Sequence, residues 1–133
     1  MDSEAPENFA EIIDLAQSVF EDVRYVTDAT PERAILRLEG NYGPYRVLVT
    51  ELISEVRKYR YYVLRGDLVE AGFDNSPDPR ALRLRYGQLA KRHVGELIPH
   101  LHLEDKTRLF LTEDITFSAF IDWLKNNIRL IGK

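Results

Sequence analysis

The sequence predicts an α+β fold in which an antiparallel meander of about five to six strands packs with an N-terminal and a C-terminal amphipathic helix. A short basic helix is expected in the loop after the central meander. Three observations carry this expectation. Both ends of the chain repeat apolar residues at i, i+3, i+4, i+7 and i+11, the stripe of a helix with one buried side. Between them the apolar period shortens to 2, that of half-buried strands, and short Gly, Asn, Asp and Pro turns join the runs. A length of 133 residues then suits one domain over residues 1–133, with its core between helices and sheet.

In chain order, Phe9, Ile12, Ile13, Ala16 and Phe20 define the first helix, from about Pro6 to Phe20. A proline suits the first turn, and acids there favour the positive end of the helix dipole. Val23, Tyr25 and Thr27 begin a first strand. Ala34, Leu36 and Leu38, alternating with Arg33, Ile35, Arg37 and Glu39, describe a second, and Gly40-Asn41-Tyr42-Gly43-Pro44 is a hairpin turn. The run Tyr45 to Ile53 puts Val47, Val49 and Glu51 on one face and Arg46, Leu48 and Thr50 on the other. Tyr59 to Arg65, rich in aromatics, turns at Gly66-Asp67 into Leu68 to Phe73. Asp78-Pro79 is an N-cap followed by a first-turn proline, and Leu82, Tyr86, Leu89 and Ala90 supply a modest stripe that Gly87 weakens. A late strand, about Thr107 to Leu111, precedes a last helix from roughly Thr116 to Ile128, striped by Phe117, Phe120, Ile121, Leu124 and Ile128.

Composition narrows the function classes. An apolar fraction of 44% and a charged fraction of 30% argue against disorder and fibrous repeats. With no cysteine, disulfides and thiolate metal sites are impossible, which fits a reducing cytoplasm. The acidic start Met1-Asp2-Ser3-Glu4 is unlike a signal peptide, and no apolar run approaches the roughly 20 residues that span a bilayer. A cytoplasmic protein without a membrane partner is expected.

The net charge of −4 is unevenly spread. Residues 1–22 carry seven acids and no Lys or Arg, whereas Arg57 to His93 holds nine basic residues against four acids. A local phosphate-binding face on an acidic molecule would be built this way, with Arg83, Arg85, Lys91 and Arg92 as substrate contacts. A solvated helix face, or one pairing with the acidic N-terminus, would look the same.

The chemistry concentrates in two tracts, Asp74-Asn75-Ser76-Pro77 and Pro99-His100-Leu101-His102. Asp, Asn, Ser and Pro are ordinary turn residues, but a carboxylate at a strand end can hold a metal, orient a histidine or receive a proton. His100 and His102, at spacing i, i+2, point to one side of an extended segment, where two imidazoles can share one metal or one phosphate. Glu51, Asp74 or His93 would complete such a pair, and histidine with carboxylate suits zinc, manganese or iron better than calcium. Glu51 on an apolar strand face is either a general base, a metal ligand or the partner of Arg46, Arg57 or Arg60. No phosphate-binding Gly-rich loop, Gly-x-Ser-x-Gly elbow or His-Glu-x-x-His helix is present.

The strand bearing Glu51, the strand Tyr59-Arg60-Tyr61-Tyr62, the corner Phe73-Asp74-Asn75-Ser76-Pro77, Pro99-His100-Leu101-His102 and the closing helix resemble, over residues 40–128, the TumE-type toxin family of prokaryotic toxin–antitoxin modules. Three features depart from the family pattern. Asp78-Pro79 stands where histidines are usual, a basic helical segment is inserted, and the His-x-His pair is one residue tighter. The resemblance implies a divergent member, a small toxin neutralised by an antitoxin protein and acting on RNA.

Two mechanisms are open to these residues. Without a metal, Glu51 or His102 takes a proton from a ribose 2′-hydroxyl, His100 protonates the leaving oxygen, and Arg60 with Arg46 stabilises the phosphorane, while Tyr61 or a neighbouring tyrosine stacks on a base. With a divalent transition metal, His100, His102 and Asp74 hold the ion, and Asn75 belongs to the substrate contacts. The competing expectation is a non-catalytic binding module with the same fold. Glu51, Asp74 and a histidine within about 8 Å across a concave surface would separate the two, a span that leaves room for one water or phosphate.

Overall fold

A computed structural model of the chain describes residues 4–130, with side chains from Glu7 onward. Asp2, and the side chains of Glu4 and Pro6 from which the helix start was read, lie outside them. Helix α1 (Glu4–Val19) leads into strands β1 (Glu21–Ala29), β2 (Ala34–Tyr42), β3 (Tyr45–Ile53), β4 (Arg57–Arg65) and β5 (Leu68–Asp74). Helix α2 (Pro79–Tyr86) and a 3-10 segment (Gly87–His93) follow, then β6 (His100–Leu103), β7 (Arg108–Leu111) and α3 (Phe117–Asn127). The strands form one antiparallel sheet in the order β1-β2-β3-β4-β5-β6-β7, each beside its neighbours in sequence.

The expected α+β meander with flanking helices is what forms, with seven strands instead of five to six. The additional pairing lies at the chain's second chemical tract: His100–Leu103 hydrogen-bonds to β5, and Arg108–Leu111 returns against it. Strands of four residues are too short for a period-2 pattern to stand out. β1 is also longer than the Val23–Thr27 run suggested, because an edge strand paired along β2 has no helix over it to impose alternation, and eight of its nine residues are exposed.

Antiparallel register assigns every side chain to one of two faces, since directly opposed residues share a face. Leu36, Val49, Tyr61, Phe73 and Leu101 form the core face. Against them α1 lays Phe9, Ile12 and Ala16, and α3 lays Phe117, Phe120, Ile121 and Leu124, all buried. Both helical stripes therefore do what their spacing predicts.

The opposite face is covered only at one end. There Asp78 caps α2, its Oδ1 accepting from the backbone N–H groups of Arg80 and Ala81, and Gly87 at φ +57° ends the helix in a conformation few other residues tolerate. Ala81, Leu82 and Ile98 make a small second core with Leu109 and Leu111 of β7. Helix α2 thus roofs β6 and β7, while β1 to β4 stay open on this side. Among the described residues no helix is long and apolar enough to cross a membrane.

Candidate metal centre

Three of the sequence-predicted residues come together beneath the start of α2. Asp74 opposes His100 across β5 and β6, and Gly72 opposes His102, so the carboxylate and both imidazoles stand on the partly roofed face. One ligating atom from each of Asp74, His100 and His102 lies within 4.8 Å of the others, and all three residues are buried. The i, i+2 spacing on an extended strand is the direct cause. The two rings meet edge to face with centroids 4.8 Å apart.

Hydrogen bonding fixes which nitrogens are free. His100 Nδ1 lies 2.6 Å from the carbonyl oxygen of Ile98, an acceptor only, so Nδ1 carries the proton and donates it. In the neutral ring that leaves a lone pair on Nε2, which faces Asp78 Oδ2 at 3.9 Å. His102 Nδ1 is buried and has no hydrogen-bond partner. Burial first, and then the neighbouring His100 and Lys106, bring His102 down to about 4 against the opposing pull of Asp78 and Asp74, so it is neutral at physiological pH. The Nε2 of His100, the unpartnered Nδ1 of His102 and the Asp74 carboxylate are donor atoms of the kind that a cation would receive.

Asp74 is held by its surroundings. Its Oδ1 accepts from the Ser76 backbone N–H at 2.6 Å and from the Ser76 hydroxyl. Its Oδ2 accepts from Tyr62 Oη at 3.4 Å and lies 3.5 Å from Arg60 Nε. Burial and the Asp74 charge push the Tyr62 phenol up to about 12, which keeps it a donor. Burial raises Asp78, but the N–H groups of Ala81 and Arg80 and the nearby His100 and Arg80 outweigh it and leave its carboxyl below the usual range. Asp78 is thus ionised where it faces His100. The sequence marks Asp78 only as a helix cap; its second role follows from placing that cap four residues after Asp74, so that one loop returns it over the same strand end.

Glu51, expected in this site, is on the other face of the sheet. It opposes Leu36 and Tyr59, and its carboxylate takes two hydrogen bonds from Arg57, at 3.0 and 3.2 Å, plus one from Tyr61 Oη. Arg57 also donates to Tyr61 Oη and the Ile115 carbonyl and stacks on the Tyr59 ring, 4.4 Å from its centroid. Glu51, Asp74 and a histidine therefore do not share one concave surface, so the arrangement expected of a nuclease that uses Glu51 is not formed, and any catalytic site here is one without Glu51. Tyr61 is fully buried between Tyr59, Phe117 and Phe120, and burial drives its phenol far above the usual range, so it offers no stacking surface to a base.

The other sequence-predicted contacts are dispersed. Asn75 is a buried clamp: its side chain accepts from Tyr59 N–H and donates to the Arg57 carbonyl, locking the end of β4 to the corner after β5. Arg60 borders the site and is largely exposed. Arg46 is at the far end of the same face, bound to Glu39 at 2.6 Å. Arg83, Arg85, Lys91 and Arg92 are exposed on α2 and the 3-10 segment. His93 stacks on Tyr86 and meets Glu96, away from the His100–His102 pair. Comparison with family models, with curated proteins and with solved structures returned no match.

Proposed function

We propose that this chain is a toxin-type ribonuclease that cleaves RNA with a divalent transition metal held by Asp74, His100 and His102. The observation that carries the reading is the convergence of these three buried donors within 4.8 Å, with the His100 tautomer set by the Ile98 carbonyl. Histidine with carboxylate is the donor set of zinc, manganese and iron sites. Such an ion, when bound, lowers the pKa of a coordinated water and polarises a phosphoryl oxygen.

The protein's own groups supply the rest. Asp78, ionised and facing His100, accepts the proton that the attacking oxygen gives up. Arg60, exposed on the solvent side of Asp74, stabilises charge on the phosphate as the new P–O bond forms and the bond to the leaving oxygen breaks. The leaving oxygen takes its proton from solvent. The metal-free pairing of Glu51 with His100 is set aside, because the sheet separates them.

A second reading, a non-catalytic module that binds a partner protein, is favoured by one feature. A mostly apolar hollow of about 610 Å³ lies along α2 and the 3-10 segment, bordered by Leu82 and Val94 and by the cations Arg83 and Lys91. It would suit an acidic partner such as the antitoxin that the sequence resemblance implies. Both readings are tested by one assay on EDTA-treated protein: cleavage of a labelled RNA with zinc, manganese or iron(II) added back, for wild type and His100→Ala. Metal-restored cleavage lost in His100→Ala supports the nuclease. Absence of cleavage with every metal, the protein remaining folded, leaves the binding module.

A further inference from the structure

The uncovered side of β1 to β4 continues directly into the candidate metal centre. Register pairs run across it in rows. Arg37 opposes Thr50, Thr50 opposes Arg60, Arg60 opposes Asp74, and Asp74 opposes His100. A second row places Leu48 opposite Tyr62, and Tyr62 opposite Gly72, which opposes His102. A Cβ on Gly72 would lie 2.7 Å from the Tyr62 ring, so glycine is what lets that ring lie across the sheet at the edge of the site. At the usual strand spacing, Arg37 and Arg60 stand about 10 Å apart, with Asp74 about 5 Å further on.

The charge on this side is positive. Its strand positions carry five basic residues (Arg24, Arg37, Arg46, Lys58, Arg60) against three acids, Glu21, Asp28 and Glu39, with Asp22 accepting from Asn41 at the same end as Glu21. Asp28 and Glu39 are already paired, with Arg33 and Arg46, and Glu21 and Asp22 lie at the far end of the face from Lys58 and Arg60. Arg24, Arg37 and Lys58 are exposed and form no ion pair among the described residues. Tyr62 lies near Arg60 and one further cation, with the Arg60 guanidinium 5.5 Å and the Lys106 ammonium 5.2 Å from its ring centroid. On a protein of net charge −4, this is the local concentration of free cations that leads into a buried acid–histidine cluster.

We propose that the open side of β1 to β4 is the track for a single-stranded polynucleotide. Its phosphates lie on Arg37, Lys58 and Arg60, and a base stacks on Tyr62 as the strand enters the site. Spaced cations beside a half-buried aromatic ring match the repeating phosphate and the unpaired base of a single strand; a duplex hides its bases from such a ring. The assignment moves substrate recognition from Arg83, Arg85, Lys91 and Arg92 of the α2 segment onto the sheet, and it rests on the nuclease reading only for the direction in which the strand runs.

The test is fluorescence anisotropy with a labelled 12-nucleotide RNA, the same sequence as DNA, and an RNA duplex. It compares wild type, the pair Arg37→Gln/Lys58→Gln and the pair Arg83→Gln/Lys91→Gln. The sheet pair should bind the single strand at least tenfold more weakly, with a log–log salt slope shallower by about 1.4, since each lost phosphate contact removes about 0.7. The α2 pair should bind as wild type does. The tighter of the two single strands identifies the natural polymer. The track is overturned if the sheet pair leaves affinity unchanged, if the α2 pair alone weakens it, or if the duplex binds best. The nuclease reading fails separately, if wild type binds the strand on the sheet and no metal yields cleavage.

Discussion

Replacing Arg57 with leucine should strip the buried Glu51 carboxylate of its counter-charge and of two hydrogen bonds while leaving the sheet register intact. Glu51 is 1% exposed, so water cannot replace the lost partner. Breaking a buried pair from one side costs about 3–5 kcal/mol, whereas replacing both members by apolar groups of similar size is often neutral. Arg57 is itself held charged: burial opposes its charge, but the hydrogen bond it donates to Glu51 and the fields of Tyr61, Glu51 and Asp114 outweigh burial and raise its pKa. Urea unfolding should therefore show Arg57→Leu destabilised by about 3 kcal/mol or more, and Glu51→Leu/Arg57→Leu restored to within about 1.5 kcal/mol of wild type. The coupling in this double-mutant cycle is the quantity of interest. A cost below about 1 kcal/mol for Arg57→Leu, or no recovery in the double variant, would refute the assignment of Glu51 to the core.

Three further outcomes follow from the same geometry. In EDTA-treated protein, His102 has a pKa of 6.5 unfolded and about 4 folded, so unfolding takes up a proton between those values and stability falls as pH drops from 6.5 toward 4. The full loss is about 3 kcal/mol, and urea midpoints of His102→Gln against pH should lack it; an unchanged slope would contradict the burial of that ring. Gly72→Ala should displace Tyr62, whose ring the new methyl would meet at 2.7 Å, and the expected reading is a change in tyrosine near-UV circular dichroism with about 1–3 kcal/mol lost. Asp78→Asn keeps the side-chain oxygen that caps α2 and should cost less stability than Asp78→Ala, which loses about 1 kcal/mol, while both weaken metal binding; equal stability of the two would remove the cap from the account.

Much of the fold was legible because period decides it. Phe9 to Phe20 and Phe117 to Ile128 carry the helical repeat without interruption, and Val47-Val49 and Tyr61-Val63 carry the strand repeat, so the layers followed from spacing. β6 was not legible as a strand, since four residues with two histidines on one side resemble a polar loop until β5 is known to lie beside them. The His100–His102 pair and Asp74 could be brought together from sequence, one by i, i+2 spacing and the other by its strand-end position. The error over Glu51 has a specific origin. Its alternation with Val47 and Val49 places it on the core face, and Asp74 follows Gly72 on the reverse face, yet sequence spacing within each strand says nothing of how the faces of two strands correspond; the register between β3, β4 and β5 supplies that. Arg57, four residues before Tyr61 and first in β4, could be chosen as the Glu51 partner over Arg46 and Arg60 only once that register was known.

The central claim is that Asp74, His100 and His102 hold a transition metal, and calorimetric titration of EDTA-treated protein with zinc(II), repeated with cobalt(II) followed by visible absorption, tests it most directly. The account predicts one ion per chain, cobalt d–d bands of a nitrogen–oxygen site, and loss of both in His100→Ala and His102→Ala, which circular dichroism should show folded. Wild-type protein that binds neither ion, or alanine variants that bind them as wild type does, would contradict it.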